Sequence, residues 1–212
     1  MISILIPVKD EPYIKILVKK IHNILKLKHE IILIDKSNFT PNVSRVRLIK
    51  QESDGLGNAI LEGLRYAKGE TIVVMDGDGS HRPEDIPRLL KNIDYFDVVI
   101  GSRFVKGGKT RDPQHRQVIS LIFRKFASII LNLKIKDSMS GFAVFRRDII
   151  NKLQLKPIGY KIIMEILFKS KNYKICEVPI IFERRKSGKG KTNIKEALRT
   201  LKYIFTLRYG LK

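Results

Sequence analysis

The ten residues from 71 to 80 have the sequence TIVVMDGDGS. The first five are apolar or β-branched, a composition typical of a buried strand. Two aspartates, Asp76 and Asp78, follow directly, and the glycines around them favour a turn. Because open α/β sheets bind their ligands beyond the carboxyl ends of strands, this segment predicts a strand that ends in an acidic site.

Apolar runs and helical patterns alternate on both sides of this segment. Strands are predicted at residues 2–7, 31–34, 46–49, 98–101 and 175–182, and helices at residues 12–25, 58–67, 83–93, 116–133 and 160–169, before a last amphipathic helix with Leu198, Leu201, Ile204 and Phe205 on one side. Pro179 predicts that the last strand is an edge strand or carries a bulge. This alternation is typical of an α/β protein, with a mostly parallel sheet flanked by helices on both faces.

The chain length and the residue types set further limits. A chain of 212 residues with 43% hydrophobic residues predicts a single folded domain spanning residues 1–212. No window of about 18 uncharged apolar residues occurs, so no transmembrane span is expected, and the amino terminus lacks the pattern of a signal peptide. The single cysteine, Cys176, cannot form an internal disulfide, which fits a reducing compartment.

The charge balance predicts a polyanionic partner. Lysine and arginine total 42 against 21 acidic residues, a net charge of +21. Nucleic acid, a phosphorylated substrate and an anionic membrane surface would all satisfy this charge. A basic nucleic-acid-binding protein is the alternative outside enzymes. The low aromatic content of 8% argues against this alternative, and so does the lack of a zinc module or an aromatic stacking strand in the sequence.

The acidic segment at residues 76–80 indicates a metal site, although Asp and Gly also favour plain turns. Hard divalent cations such as Mg²⁺ and Mn²⁺ bind carboxylate oxygens, and phosphate oxygens can complete their coordination. Asp35 ends another predicted strand and Glu11 follows the first, so both are candidates for contacts to a nucleoside. A Gly-x-Gly at residues 55–57 lacks the rest of the dinucleotide-binding fingerprint and of the phosphate-binding loop, which argues against those two nucleotide-binding classes.

Several segments together resemble the family 2 glycosyltransferases, and more closely the dolichyl-phosphate mannose synthases among them. The resemblance is carried by Ile-Pro-Val-Lys-Asp-Glu at residues 6–11, Asp-Gly-Asp-Gly-Ser-His-Arg-Pro at 76–83, Gly-Ser-Arg at 101–103, Asp-Ser-Met-Ser-Gly-Phe at 137–142 and Glu-Val-Pro at 177–179 with Arg185, Gly188 and Lys191 beyond it. Lys36 stands where the family has a second acid after Asp35. The resemblance covers about residues 2–205 and implies a GT-A, Rossmann-like fold.

The resemblance also implies a role for each site residue. Contacts to the nucleotide-sugar are expected from Pro7, Glu11, Asp35, Asp76, Asp78, Arg103, Arg185 and Lys191. Ligands of a divalent cation, Mg²⁺ or Mn²⁺, are expected to be Asp76, Asp78 and Ser80. The acceptor phosphate is expected at Arg116, Ser120 and Arg124, and the residues expected to carry the reaction are Asp78, Arg116 and Asp137.

The implied reaction is transfer of mannose from GDP-mannose to dolichyl or another polyprenyl phosphate, with inversion at the sugar carbon. Residues 1–103 would form the nucleotide-sugar half and residues 104–212 the acceptor and membrane-proximal half. We expect peripheral attachment at the cytoplasmic face of a membrane, with or without a separate anchoring partner, through the helix at 116–133 and the last helix. Transfer of glucose from UDP-glucose, and transfer to an acceptor that is not a lipid, stay open as alternatives.

Overall fold

A seven-stranded sheet forms the centre of the molecule. The structure is a computed structural model that describes residues 1–38, 41–186 and 194–210, with the backbone alone at residues 194 and 195. The sheet strands are β1 (Ile2–Val8), β2 (His29–Asp35), β3 (Arg47–Lys50), β4 (Thr71–Val74), β5 (Val98–Ser102), β7 (Ala143–Arg146) and β8 (Ile175–Pro179), and a separate pair consists of β6 (Lys109–Thr110) and β9 (Ile181–Phe182). The strand order is β3-β2-β1-β4-β7-β5-β8, and only β7 is antiparallel to its neighbours.

Helices cover both faces of the sheet, as the alternating pattern predicts. They are α1 (Ile14–Ile24), α2 (Leu56–Tyr66), α3 (Ile86–Leu90), α4 (Gln114–Leu131), α5 (Arg147–Lys152), α6 (Ile162–Lys169) and α7 (Ile194–Tyr209). The side chains of β1 and β2 alternate between two apolar clusters. Leu5 and Ile32 belong to the cluster that includes residues of α2 and of α4 to α7, whereas Ile4 and Ile31 belong to the cluster with α1 and α3. The α/β class with a mostly parallel sheet is thereby confirmed.

Several elements differ from the sequence expectation. The helix predicted at residues 83–93 is a short 3-10 turn, Pro83–Asp85, followed by α3. Pro87 has no N–H to donate back to Pro83, and its ring disfavours a regular α-helix through this segment. The strand predicted at 175–182 is divided into β8 and β9 around Ile180, and β8 lies at the sheet edge, as Pro179 predicts. β6, β7 and α5 were not predicted.

No helix in the described part of the chain is long and apolar enough to cross a membrane. The longest, α4, is nevertheless apolar on an exposed side. Its side chains there include Val118, Ile122 and Ile129, which are 55%, 61% and 77% exposed.

Candidate functional site

A cavity of about 550 Å³ opens at the carboxyl edge of the parallel strands. Its floor consists of the segments that follow β1, β2, β3, β4 and β5, and its walls come from residues 159–161, α4 and α7. Among the residues predicted to form the site, the cavity is lined by Pro7, Glu11, Asp76, Asp78, Arg103, Arg116, Ser120 and Arg185. The fold therefore brings together residues that lie far apart in the sequence.

The acidic turn after β4 holds its two aspartates in different environments. The Asp78 carboxylate is nearly buried, and its Oδ1 accepts hydrogen bonds from the backbone N–H and the hydroxyl of Ser80 at 2.9 and 2.6 Å. Its Oδ2 lies 3.1 Å from Nε of Arg185. The Asp76 carboxylate is 27% exposed, and it accepts no hydrogen bond from any residue in the described ranges. Ser80 is fully buried, so its hydroxyl holds Asp78 and does not line the cavity.

His81 lies beneath this turn as a neutral ring. Its Nδ1 accepts a hydrogen bond from the backbone N–H of Asp76 at 2.9 Å, so Nδ1 carries no proton. The ring stacks on Phe142 and meets Phe182 edge-on. Burial in this apolar surrounding lowers the pKa of His81 despite the nearby carboxylates. The contact to the Asp76 carboxylate at 3.8 Å is therefore not an ion pair, and His81 is itself among the residues that line the cavity.

The turn requires glycine at position 79. Gly79 has φ of +81°, which favours residues without a Cβ atom. A Cβ atom here would also lie 2.8 Å from the Tyr13 ring and from Cγ of Lys186. A larger residue at this position would therefore disturb the turn that presents Asp78 to the cavity.

The two aspartates suit a divalent cation that takes its other ligands from a substrate. Carboxylate oxygens are the preferred ligands of Mg²⁺ and Mn²⁺, and Asp76 presents its oxygens to the cavity. Within the described residues, no group of three or more His, Cys, Asp or Glu side chains could hold a metal by itself. Phosphate oxygens of a substrate, or water molecules, would complete the coordination, and Asp78 can contribute Oδ2 only by sharing or releasing Arg185.

Arg103 is held in the cavity wall by a fully buried carboxylate. Nε and Nη2 of Arg103 donate to the two oxygens of Asp137, each at 2.8 Å, and the Arg103 backbone N–H donates to Oδ2 at 3.0 Å. Burial alone would lower the pKa of Arg103, but the hydrogen bonds and charge of Asp137 outweigh it and raise the pKa. The Glu177 carboxylate holds the backbone at Asp137 in place, because it accepts hydrogen bonds from the backbone N–H groups of Lys136 and Asp137, both at 2.8 Å. Asp137 thus orients Arg103 and does not itself line the cavity.

The predicted acceptor residues on α4 separate into two groups. Arg116 and Ser120, one helical turn apart, line the cavity. Arg124, a further turn along, turns away: its Nη1 donates to the carbonyl of Lys136 at 2.6 Å, and its guanidinium lies 3.7 Å from the centre of the Phe104 ring. Burial lowers the pKa of Arg124. The structure therefore places Arg124 outside the cavity.

After β2, the residue that lines the cavity is Lys36 and not Asp35, which the sequence suggested as a contact to the nucleotide-sugar. Asp35 is nearly buried, and its Oδ1 accepts the backbone N–H of Ser37 at 3.0 Å. Lys36 lines the cavity, and its Nζ lies 3.2 Å from the carboxylate of Asp54 and 3.3 Å from two backbone carbonyls of the segment after β3. Lys191, also predicted to contact the donor, lies outside the described residues.

Comparison with known proteins identifies the family. The family model described as glycosyl transferase family 2 matches residues 3–154, most of the chain. The chain belongs to this family.

This family 2 glycosyltransferase has relatives that share about a third of its residues. It is 36% identical to a dolichol-phosphate mannosyltransferase of Pyrococcus furiosus, over 97% of this chain and 63% of that protein. It is 37% identical to an undecaprenyl-phosphate mannosyltransferase of Micrococcus luteus, over 68% of this chain and 63% of that protein. A polyprenol monophosphomannose synthase of Mycolicibacterium smegmatis is 35% identical over 73% of this chain and 63% of its own length. The chain thus spans less than two thirds of these relatives.

Solved structures confirm the GT-A fold of this glycosyltransferase. Glucosyl-3-phosphoglycerate synthase from Mycobacterium tuberculosis, in complex with Mn²⁺, uridine diphosphate and glucosyl-3-phosphoglycerate, superposes with a TM-score of 0.75 at 17% identity, covering 100% of this chain and 81% of that one. A further mycobacterial protein superposes with a TM-score of 0.76 at 17% identity, covering 100% of this chain and 76% of that one. At this level of identity, the similarity shows the fold.

Lys161 is a cavity residue of this glycosyltransferase that the sequence did not reveal. It lines the cavity from the start of α6. Burial lowers the pKa of its ammonium, and Arg103 acts in the same direction, while Asp76, Asp137 and Glu196 oppose the shift. Lys161 belongs to none of the motifs that point to the site. The sequence predicts a helix at 160–169 but gives no sign that its first residues face the cavity.

Proposed function

We propose that this glycosyltransferase transfers mannose from GDP-mannose to the phosphate of dolichol or another polyprenol, with inversion at the sugar carbon. The observation that carries the proposal is the cavity, which places Asp76 and Asp78 beside Arg103, Arg116 and Arg185. Such a cavity suits two phosphorylated substrates. The names of the three mannosyltransferase relatives support mannose as the sugar and a polyprenyl phosphate as the acceptor.

The donor diphosphate is proposed to lie over the acidic turn. A divalent cation held there by Asp76 and Asp78 would neutralise the charge that grows on the leaving diphosphate, and the Mn²⁺ in a structural neighbour supports such an ion. Arg185, already held against Asp78, brings a guanidinium to the same edge. Charge-assisted hydrogen bonds from such a group stabilise a phosphate anion further.

The acceptor phosphate is proposed to bind beside Arg116 and Ser120. A phosphate monoester has a second pKa of about 6, so its oxygen is ionised near neutral pH. That oxygen attacks the anomeric carbon and forms the new C–O bond, while the bond to the donor diphosphate breaks and its electron pair leaves with GDP. No protein base is needed. Attack from the face opposite the leaving group gives inversion.

A lipid surface is proposed to lie next to the cavity. Ile119 of α4 lines the cavity, while Val118 and Ile122 are exposed on the same helix. α4 packs against α7, where the rings of Phe126 and Phe205 are 5.8 Å apart. An amphipathic helix of this kind can lie in a membrane interface, and the net charge of +21 suits anionic lipid. Peripheral attachment at the cytoplasmic face belongs to the proposal, and the single cysteine supports that compartment.

Labelled donors test the substrate assignment. Purified protein is incubated with dolichyl phosphate, Mg²⁺ or Mn²⁺, and either labelled GDP-mannose or labelled UDP-glucose. We expect label in the organic phase from GDP-mannose alone. Label from UDP-glucose alone would establish the glucosyltransferase alternative, and transfer only to a water-soluble acceptor would exclude the lipid.

The variant Asp76→Asn tests the acidic turn. Since no described residue donates a hydrogen bond to the Asp76 carboxylate, we expect an unchanged unfolding temperature and a loss of transfer of roughly 100-fold or more. Asp112→Asn is the matched control, because Asp112 also lines the cavity but lies off the turn; it should keep its activity within about threefold. Full transfer by Asp76→Asn, or by the wild type in excess chelator, would remove the cation from the mechanism.

A further inference from the structure

Two cations in the cavity wall, Arg116 and Lys161, have no partner among the residues that the structure describes. Of the half-buried cationic residues that line the cavity in the described ranges, Lys36 is paired with Asp54 and Arg103 with Asp137. Arg116 and Lys161 make no side-chain hydrogen bond or ion pair with a described residue. A desolvated charge without a partner is costly, and an anionic ligand would compensate that cost.

Lys161 projects from a well-anchored part of the structure. Its backbone carbonyl accepts the N–H groups of Met164 and Glu165 at 3.1 and 3.4 Å, where α6 begins. The next six residues, 162–167, are buried in the core. Two residues before it, the carbonyl of Gly159 accepts the N–H of Gly57 at 3.0 Å, which ties this segment to the start of α2. The ammonium is therefore presented from a fixed backbone, and only its side chain has freedom to move.

Charged groups of both signs act on the Lys161 ammonium. Asp76, Asp137 and Glu196 favour its charged form, whereas burial and Arg103 disfavour it. Asp137 is already bound to Arg103 on both oxygens. Arg124, expected from the sequence to complete the acceptor-phosphate site, is directed away from the cavity. Among the described half-buried cations that line the cavity, Lys161 is then the second, beside Arg116, that has no partner in the protein.

We propose that Lys161 binds a phosphate group of a substrate, from the wall formed by the start of α6. The proposal rests on the proposed function, because that function supplies two phosphorylated substrates. The ligand is a phosphate oxygen, which a lysine ammonium recognises as a point charge. It belongs either to the polyprenyl phosphate or to the donor diphosphate, and the experiment separates these two sources.

The test compares Lys161→Met and Lys161→Arg with the wild type and with Lys152→Met, which removes an exposed lysine outside the cavity. The quantities measured are the KM for GDP-mannose and for dolichyl phosphate, and the Kd for GDP by calorimetry. We expect Lys161→Met to weaken the binding of one of the two substrates by roughly 10- to 100-fold, the range for loss of a hydrogen bond to a charged group. Lys161→Arg should recover most of the loss, and Lys152→Met should match the wild type.

The outcomes distinguish the acceptor phosphate from the donor diphosphate as the ligand of Lys161. They also distinguish failure of this proposal from failure of the proposed function. A loss confined to dolichyl phosphate assigns Lys161 to the acceptor, and a loss shared by GDP-mannose and GDP assigns it to the donor. Constants within twofold of the wild type for both substrates, or an arginine variant no better than the methionine variant, would overturn the proposal. If the wild type transfers no mannose, the proposed function fails, while the Kd for GDP and a Kd for dolichyl phosphate, measured in the same way, still decide the role of Lys161. Should Lys161→Met not fold, Lys161→Gln replaces it in the same comparison.

Discussion

The surroundings of each carboxylate decide what it can do in this site. Asp137 is fully buried, and both of its oxygens accept hydrogen bonds from Arg103. Asp76 is open to the cavity, and its oxygens accept no hydrogen bond from the part of the chain that the structure describes. The first carboxylate is therefore suited to hold a protein cation in place, and the second to bind a ligand. Asp78 lies between these cases, with one oxygen used by Ser80 and the other by Arg185.

Removal of the Asp137 carboxylate should destabilise the protein strongly. Asp137→Ala leaves the guanidinium of Arg103 buried without its partner, and loss of one member of a buried pair costs about 3–5 kcal/mol. We expect a decrease of that size in the free energy of unfolding, measured with urea. Asp148→Ala is the control, because Asp148 and Arg146 form an exposed pair at 3.5 Å that should contribute less than about 1 kcal/mol. Equal losses in the two variants would contradict the structural role of Asp137.

Individual site residues differ in how far the sequence reveals them. Asp76 and Asp78 are predictable because a strand and a turn, both local, set their position. Arg124 and Lys161 are not. The helical period places Arg124 in line with Arg116 and Ser120, but the long arginine side chain stacks on Phe104, a contact across the fold that no local pattern contains. The same limit conceals Lys161, whose direction depends on how α6 packs on the sheet.

At the level of elements, α7 forms one wall of the cavity and is attached through a buried acid. The hydroxyl group of Tyr203 on α7 donates a hydrogen bond to the carboxylate of Glu165 on α6. Glu165 also accepts the backbone N–H of Lys156 and the ammonium of Lys169, at 2.8 and 2.7 Å. Burial and the Glu165 charge raise the pKa of Tyr203, so the phenol stays protonated. α7 in turn supplies the cavity residues Glu196, Ala197, Arg199 and Thr200.

Loss of the Tyr203 hydroxyl should loosen α7. Tyr203→Phe keeps the ring but removes a hydrogen bond to a charged group, an interaction that contributes about 1.5–3 kcal/mol. We expect a decrease of this size in stability, and faster hydrogen exchange of α7 amides than of the sheet. Tyr209→Phe on the same helix is the control, because Tyr209 is 61% exposed. Unchanged exchange in α7 after the Tyr203 substitution would show that packing alone holds the helix.

The order of elements follows from the sequence more readily than their direction. The alternation of apolar runs and helical stripes predicts the parallel strands, because buried parallel strands are continuously apolar. β7 spans Ala143–Arg146 and α5 begins at the next residue, so no turn separates the strand from the helix and the two patterns merge. Its antiparallel direction also depends on partners distant in the chain, β4 and β5. That direction brings the start of β7 to the cavity, and with it residues 137–142.

For the molecule as a whole, the exposed apolar side of α4 lies beside the cavity on a strongly basic protein. Ile122 and Ile129 are among its most exposed side chains. The net charge of +21 adds attraction to an anionic surface, roughly 1 kcal/mol for each basic residue close to it. We infer that the molecule approaches lipid with this side.

An acidic residue on the exposed side of α4 should weaken membrane binding and leave folding unchanged. Ile122→Asp places a charge on a side chain that is 61% exposed, so the unfolding temperature should change little. We expect at least a fivefold loss of binding to anionic vesicles in a flotation assay. Ile16→Asp is the control, since Ile16 is 53% exposed on α1, away from α4. Equal losses in the two variants would point to charge in general and not to the α4 surface.

The position of β7 also bears on synthesis of the chain. Strands β4 and β5 leave the ribosome before the strand that joins them, and they do not pair with each other. Until residue 146 has emerged, each of them exposes an unpaired backbone edge to which foreign strands can add. Nascent chains stalled before this point should therefore aggregate or recruit chaperones, whereas chains a few dozen residues longer have closed the gap.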